Sequence, residues 1–165
     1  MESETLHDEY VRAVLEGFDG VWRRVEGSET NTSPQPRHDP SLCLEQLAGD
    51  ELRAAAYDRA LAGCLGPGKQ LLLRHASQAV RRAQRLRAEI FLRTGARIST
   101  SESCPRTQGI MDSLREAMLR DEAAAAAYDA AAVADGDLSP LLRDYACQRR
   151  AASQEKRELI LRCFR

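Results

Sequence analysis

Residues 50–58 read DELRAAAYD, and residues 121–129 read DEAAAAAYD, 71 positions later. Each copy lies in an alanine- and leucine-rich segment, and a second such segment follows each of them after a short break. The two second segments are also alike: LLLRHASQAVRRAQRLRAEIFLR starts at Leu71, and LLRDYACQRRAASQEKRELILR starts at Leu141. The repeat predicts two similar helical hairpins in one chain. The shared composition of alanine-rich helices is the alternative explanation.

The composition favours helices throughout the chain. Its 165 residues include 25 Ala and 20 Leu, but only 6 Val and 4 Ile. Alanine, leucine, arginine and glutamate are good helix formers, whereas strands favour β-branched and aromatic residues. We therefore predict an all-α protein.

Turn-forming residues divide the chain into five predicted helices. The first is amphipathic, with apolar side chains at three- and four-residue spacing between Val11 and Val25. A linker rich in proline and small polar residues follows it, and Pro40 suits the first turn of the next helix. The predicted domains are an N-terminal helix over 1–26, a linker over 27–40 and a helical bundle over 41–165. The predicted bundle helices run from 39 or 41 to 63, over 70–94, over 110–134, and from 139 to the C-terminus.

The loop lengths predict how these helices are connected. The breaks near 63–69 and 135–139 are short, so each joins antiparallel neighbours. The connection over 95–109 can reach about 50 Å at roughly 3.3 Å per residue, whereas a helix of about 25 residues is only ~37 Å long. It can therefore run the length of a bundle. We expect a four-helix bundle of two hairpins joined by one long crossover, plus the N-terminal amphipathic helix.

Charge and cysteine content exclude several classes of protein. With 24 basic and 25 acidic side chains, the chain lacks the basic surface that a nucleic-acid binder needs. No apolar run is long enough to span a membrane. The first residues do not resemble a signal peptide, so we expect a cytoplasmic protein. None of the five cysteines forms a C-x-x-C pair, which argues against a zinc ribbon or a dithiol redox site.

Two stretches of the chain carry a family resemblance. The first consists of LAGDELRAAAYDRALAGC (47–64) and RRAQRLRAEIFLRTG (81–95), and the second consists of LREAMLRDEAAAAAYDAA (114–131) and the long last helix. Both resemble the rubrerythrin-like branch of the ferritin-like superfamily. The resemblance covers about residues 41–165 and implies a ferritin-like bundle with two irons. The implied ligands are one Glu from the first helix of each hairpin and a Glu-x-x-His pair from each second helix. Glu51 and Glu122 match the first-helix ligands.

The Glu-x-x-His pairs implied by the resemblance are missing. Alignment puts Ala79 at the Glu place and Arg82 at the His place. In the last helix it puts Arg149 and Ala152 at those places, although a shift of register would bring in Ser153 or Lys156. No histidine follows His75, so no register restores a pair. We therefore expect no bound metal and no cofactor.

Arginine offers a replacement for the metal, because two buried carboxylates without a counter-ion would repel each other. A guanidinium stays charged and can bind a carboxylate through two hydrogen bonds. Asp58 and Asp129 lie seven residues after Glu51 and Glu122, hence on nearly the same helix face, so they can extend such an ion-pair network. The alternative is that the arginine side chains extend outward into solvent. The predicted buried ion-pair network consists of Glu51, Glu122, Arg82, Arg149 and Lys156.

The functional prediction follows from the missing ligands. We expect a structural, binding or regulatory bundle and not an enzyme. The alternative is an iron or manganese oxidoreductase or peroxidase with an altered ligand set. Hard cations would suit such an oxygen-rich set. The N-terminal helix docks either on its own bundle or on a second subunit, which would make a homodimer. The ligands of the alternative metal site would be Glu51 and Glu122, joined by Asp58, Asp129 and His75.

Overall fold

The computed structural model describes residues 40–98 and 109–163. Four helices make up almost all of this part of the chain, and it contains no strand, which confirms the all-α prediction for these residues. The predicted N-terminal helix and linker residues 27–39 lie outside the described residues. The helices are α1 (Pro40–Cys64), α2 (Lys69–Thr94), α3 (Ile110–Ala134) and α4 (Ser139–Cys163).

Proline and glycine mark the helix ends. The first turn of a helix tolerates proline, because the proline ring fixes φ near the helical value. Helix α1 begins at Pro40, the last residue of the predicted linker. Gly68 adopts a left-handed φ of 87° just before α2, and Gly95 adopts a φ of 70° just after it. The Gly95 N–H donates to the Phe91 carbonyl at 2.8 Å, which closes the helix.

The helices pack as two hairpins, α1 with α2 and α3 with α4, and α1 and α3 form the main contact between the hairpins. Leu44 near the start of α1 shares an apolar cluster with Ile90 near the end of α2 and with Ala131 near the end of α3. A second cluster contains Leu61 near the end of α1 and Leu114 near the start of α3. The two helices of each hairpin are therefore antiparallel, and so are α1 and α3. Because α2 ends by one cluster and α3 starts by the other, their connection joins opposite ends of the bundle.

The buried positions of the two hairpins repeat with an offset of 70 residues. In the second helices, Leu72 corresponds to Leu142 and Leu86 to Lys156. In the first helices, Leu44 corresponds to Leu114. The repeat of the letters DE–AAAYD has an offset of 71, so it is out of step with the buried positions by one residue. None of the described helices has the length and apolar character needed to cross a membrane.

Candidate functional site

Glu51 of α1 lies in the bundle interior and is only 1% exposed. Arg82 of α2 donates to both of its oxygens, from Nε to Oε1 and from Nη2 to Oε2, each at 3.0 Å. Arg149 of α4 does the same, at 3.0 Å from Nε and 2.6 Å from Nη2. The Tyr128 hydroxyl donates to Oε1 at 2.7 Å. One carboxylate therefore binds two guanidinium groups, each through two hydrogen bonds, which is the strongest geometry for such pairs.

Arg149 extends this cluster to a second carboxylate. Its Nη1 donates to Oδ1 of Asp121 at 2.5 Å. The Lys156 Nζ donates to the other oxygen of Asp121 at 2.7 Å and lies 3.0 Å from both oxygens of Asp58. Three positive and three negative side chains thus form one continuous chain of ion pairs, and all six are buried. We call these six residues the ion network: Arg82, Glu51, Arg149, Asp121, Lys156 and Asp58.

The 70-residue offset relates two of the charges of the ion network to each other and separates the others. Glu51 and Asp121 occupy equivalent positions on the first helices of the two hairpins. The two arginines are not equivalent, because the counterpart of Arg82 is Ala152 and that of Arg149 is Ala79. Each arginine thus corresponds to an alanine in the other hairpin, and the small alanine side chains leave volume for the guanidinium groups.

Burial and neighbouring charges change the acidity of the network groups. Burial alone would lower the pKa of the Arg149 guanidinium, but Glu51 and Asp121 raise it above its ordinary value. Burial raises the pKa of the Asp58 carboxyl, and the nearby Lys156 only partly offsets this. Burial and the Glu51 carboxylate raise the pKa of the Tyr128 hydroxyl, which therefore stays protonated and donates to Glu51. The balance of three cations and three anions is what makes their joint burial tolerable.

The prediction that Glu122 and Asp129 belong to the buried ion-pair network is wrong. Glu122 is exposed and accepts a hydrogen bond from the Ser153 hydroxyl at 3.0 Å, and Asp129 pairs with Arg150 at the surface. Asp121 takes the place in the ion network that was predicted for Glu122. The reason is the one-residue difference between the letter repeat and the buried positions, which turns Glu122 about 100° away from the interior.

His75 is buried but forms a separate contact. Its Nε2 lies 2.6 Å from a carboxylate oxygen of Glu155, and the described residues offer its Nδ1 no hydrogen-bond partner. Burial lowers the pKa of the His75 imidazole, although the hydrogen bond to Glu155 opposes this. A neutral ring that donates from Nε2 suits the site, because a second proton would leave a buried N–H without an acceptor.

The structure brings four of the five predicted network residues together with Asp58, which the sequence predicted as an extension of the network, and it adds Asp121 and the Tyr128 hydroxyl to them. Sequence reasoning missed Asp121, although a signal for it was present. The second helices resemble each other from Leu71 and from Leu141, which is an offset of 70, and both helices of a hairpin must share one offset when their turns have equal length. Within residues 40–98 and 109–163, no group of three or more His, Cys, Asp or Glu side chains is arranged to hold a metal ion.

Comparison of the chain with protein families, with curated proteins and with solved structures finds no match.

Proposed function

We propose that this chain is a ferritin-like bundle of the rubrerythrin-like type in which the ion network occupies the place of a di-metal centre. In this proposal it acts as a binding or regulatory protein and not as an oxidoreductase. The observation that carries the proposal is the binding of two guanidinium groups to Glu51 in the interior. Arg82 and Arg149 stand at places where the family resemblance implies members of Glu-x-x-His pairs.

The donor groups at the centre do not fit a di-iron or di-manganese site. The oxygens of Glu51 and Asp121 already accept hydrogen bonds from cationic side chains. A metal ion would have to share this small volume with Arg82, Arg149 and Lys156, and like charges at such distances repel strongly in a buried site. No contact among the described residues favours the metal-dependent alternative.

Metal analysis of the full chain, expressed with iron and manganese supplied, tests this proposal. We expect less than stoichiometric amounts of either metal after purification without chelators. Two metal ions per chain would overturn the proposal, because the ion network and a di-metal centre cannot occupy the same volume.

A reverse design tests whether the ion network stands at a former metal position. The quadruple variant Ala79→Glu, Arg82→His, Arg149→Glu, Ala152→His places a Glu-x-x-His pair on each second helix, facing Glu51 and Asp121. We expect it to gain about two bound divalent metal ions per chain by calorimetric titration, since carboxylate and imidazole groups would now converge there.

The matched control places the same four residues at exposed positions five residues further along each helix, as Gln84→Glu, Arg87→His, Gln154→Glu, Arg157→His. We expect this variant to bind metal weakly and without a fixed stoichiometry. Circular dichroism checks that both variants are helical. A helical interior variant that binds no more metal than the control would contradict the proposed origin of the site.

A further inference from the structure

A groove of about 440 Å³ lies between α1 and α3. Alanines form much of its wall: Ala54 comes from α1, and Ala123, Ala124 and Ala127 come from α3. Alanine side chains end at Cβ, so the two helices leave a space here that larger residues would fill. The volume falls in the range of about 300–1,000 Å³ that is typical of small-molecule sites.

Three arginines and one carboxylate, Asp50, line this groove, and one of the arginines, Arg149, is already bound to Glu51 and Asp121. Arg53 and Arg120 line it from facing helices, and Arg149 lines it from α4. The Arg120 guanidinium lies 4.4 Å from the centre of the Tyr57 ring, and its Nη2 donates to Glu116 at 2.5 Å. This stacking holds the guanidinium in place, as cation–π contacts do.

The carboxylate partners of Arg53 and Arg120 are weak competitors for a ligand. Asp50 and Glu116 have side chains that are 53% and 52% exposed. Exposed pairs of this kind contribute little to stability. Each of the two arginines uses only Nη2 in these hydrogen bonds, and a guanidinium carries N–H donors on three nitrogens. The guanidinium groups of Arg53 on α1 and Arg120 on α3 therefore keep further N–H donors for an anion.

We propose that the groove binds a small organic anion, with its negative group between Arg53 and Arg120 and its apolar body against the alanines. This inference gives a ligand class to the binding role proposed above and rests on that role. The shared chemistry is a carboxylate or a phosphate monoester on a short apolar chain. Arg149 links the groove to the ion network, because the same guanidinium holds Glu51 and Asp121.

Calorimetric titration of the full chain with four probes tests the ligand class. We expect octanoate or octyl phosphate to bind with one site per chain, and their relative affinities distinguish a carboxylate ligand from a phosphate ligand. Octylamine tests the charge and inorganic phosphate tests the apolar body, and both should bind at least about tenfold more weakly. Octylamine that binds as tightly as octanoate, or the absence of binding by both octyl anions at millimolar concentration, would overturn the inference.

Matched variants locate the binding site. Ala127→Leu fills the groove and should abolish binding, whereas Ala130→Leu, exposed on the same helix outside the groove, should not. Arg53→Gln and Arg120→Gln should each weaken binding by roughly tenfold, and Arg115→Gln serves as the control arginine. Binding that Ala127→Leu leaves unchanged, or that Ala130→Leu removes equally, would contradict the site. Metal content tests the loss of the di-metal centre separately, so the two proposals fail on different measurements.

Discussion

Glu51 of α1 accepts hydrogen bonds from Arg82 of α2, Tyr128 of α3 and Arg149 of α4, so its two oxygens connect all four described helices. Removing one partner of a buried ion pair leaves an uncompensated charge, which is far more costly than the pair itself is stabilising. The position therefore tolerates little change, although a buried ion network adds less stability than its many contacts suggest.

Glu51→Gln should lower the free energy of unfolding by about 3–5 kcal/mol, because it leaves two buried guanidinium groups facing a neutral amide. Glu122→Gln, at the matching letter of the sequence repeat, should change it by no more than about 0.5 kcal/mol, because Glu122 is exposed. Urea denaturation measures both. Similar losses in the two variants would show that the register assigned to α3 is incorrect.

His75 makes the stability of the folded protein decrease as the pH falls. Its pKa is lowered on folding, so the unfolded chain binds a proton more readily. The contribution of His75 to stability is therefore complete above the ordinary histidine pKa and decreases as the pH falls through it. His75→Gln removes this component.

Between about pH 7.5 and pH 5.5, which spans the ordinary histidine pKa, wild type should lose more stability than His75→Gln. Thermal unfolding across this range measures the difference. Asp58, whose pKa is raised by burial, changes stability in the opposite direction in both proteins. His75→Gln also removes the charge interaction between His75 and Asp58, so the comparison measures the imidazole with that interaction included. Parallel pH profiles would contradict the role of His75.

At the scale of the helices, the sequence predicted the ends well and one register badly. Pro40, Gly95 and Ser139 mark boundaries through backbone chemistry that is local, so the predicted and observed ends differ by about one residue. The inward face of α3 is different, because residues 123–127 are all alanine. A helix that is uniformly small and apolar around its circumference does not show which side is buried, and so the pattern could not separate Asp121 from Glu122.

The second helices were easier to orient. In α2 and α4, charged residues alternate with apolar ones, so the apolar stripe is narrow and fixes the inward positions of Arg82, Arg149 and Lys156. What the pattern could not supply was the pairing, since the partners come from other helices and depend on how the hairpins pack. The groove between α1 and α3 was also beyond prediction, because it arises from how these two helices pack.

The turn between α1 and α2 offers a prediction about backbone conformation. Gly68 and Gly95 both have positive φ, where a side chain costs roughly 1–2 kcal/mol. A Cβ at Gly68 would also lie 2.5 Å from a methyl carbon of Leu159, whereas one at Gly95 would meet nothing within 4 Å. Gly68→Ala should therefore destabilise the protein more than Gly95→Ala does. Urea denaturation of both variants checks this, and equal losses would show that Leu159 moves aside freely.

At the scale of the whole molecule, the ion network is neutral only when complete. Replacing only its cations, as Arg82→Met, Arg149→Met, Lys156→Met, leaves three buried carboxylates and should destabilise the bundle by several kcal/mol, since each loses its counter-charge.

Replacing all six charges with apolar residues removes the need for compensation. This variant, with Tyr128→Phe to avoid an unpaired hydroxyl, should be at least as stable as wild type. Circular dichroism with urea denaturation compares the two variants. A full replacement that is less stable than the cation-only variant would contradict this account. The full replacement combines the three cation changes, Arg82→Met, Arg149→Met and Lys156→Met, with Glu51→Met, Asp58→Leu, Asp121→Leu and Tyr128→Phe.

The division of charge between the hairpins has a further consequence. The first hairpin contributes two anions and one cation to the ion network, and the second contributes one anion and two cations. Two copies of the same hairpin, packed in the same way, would bury two like charges without compensation. The halves have nearly the same pattern of buried positions, yet each is complementary only to the other. The uncompensated charge thus disfavours the packing of two identical hairpins against each other. It favours the packing of the first hairpin against the second, which one chain supplies by itself.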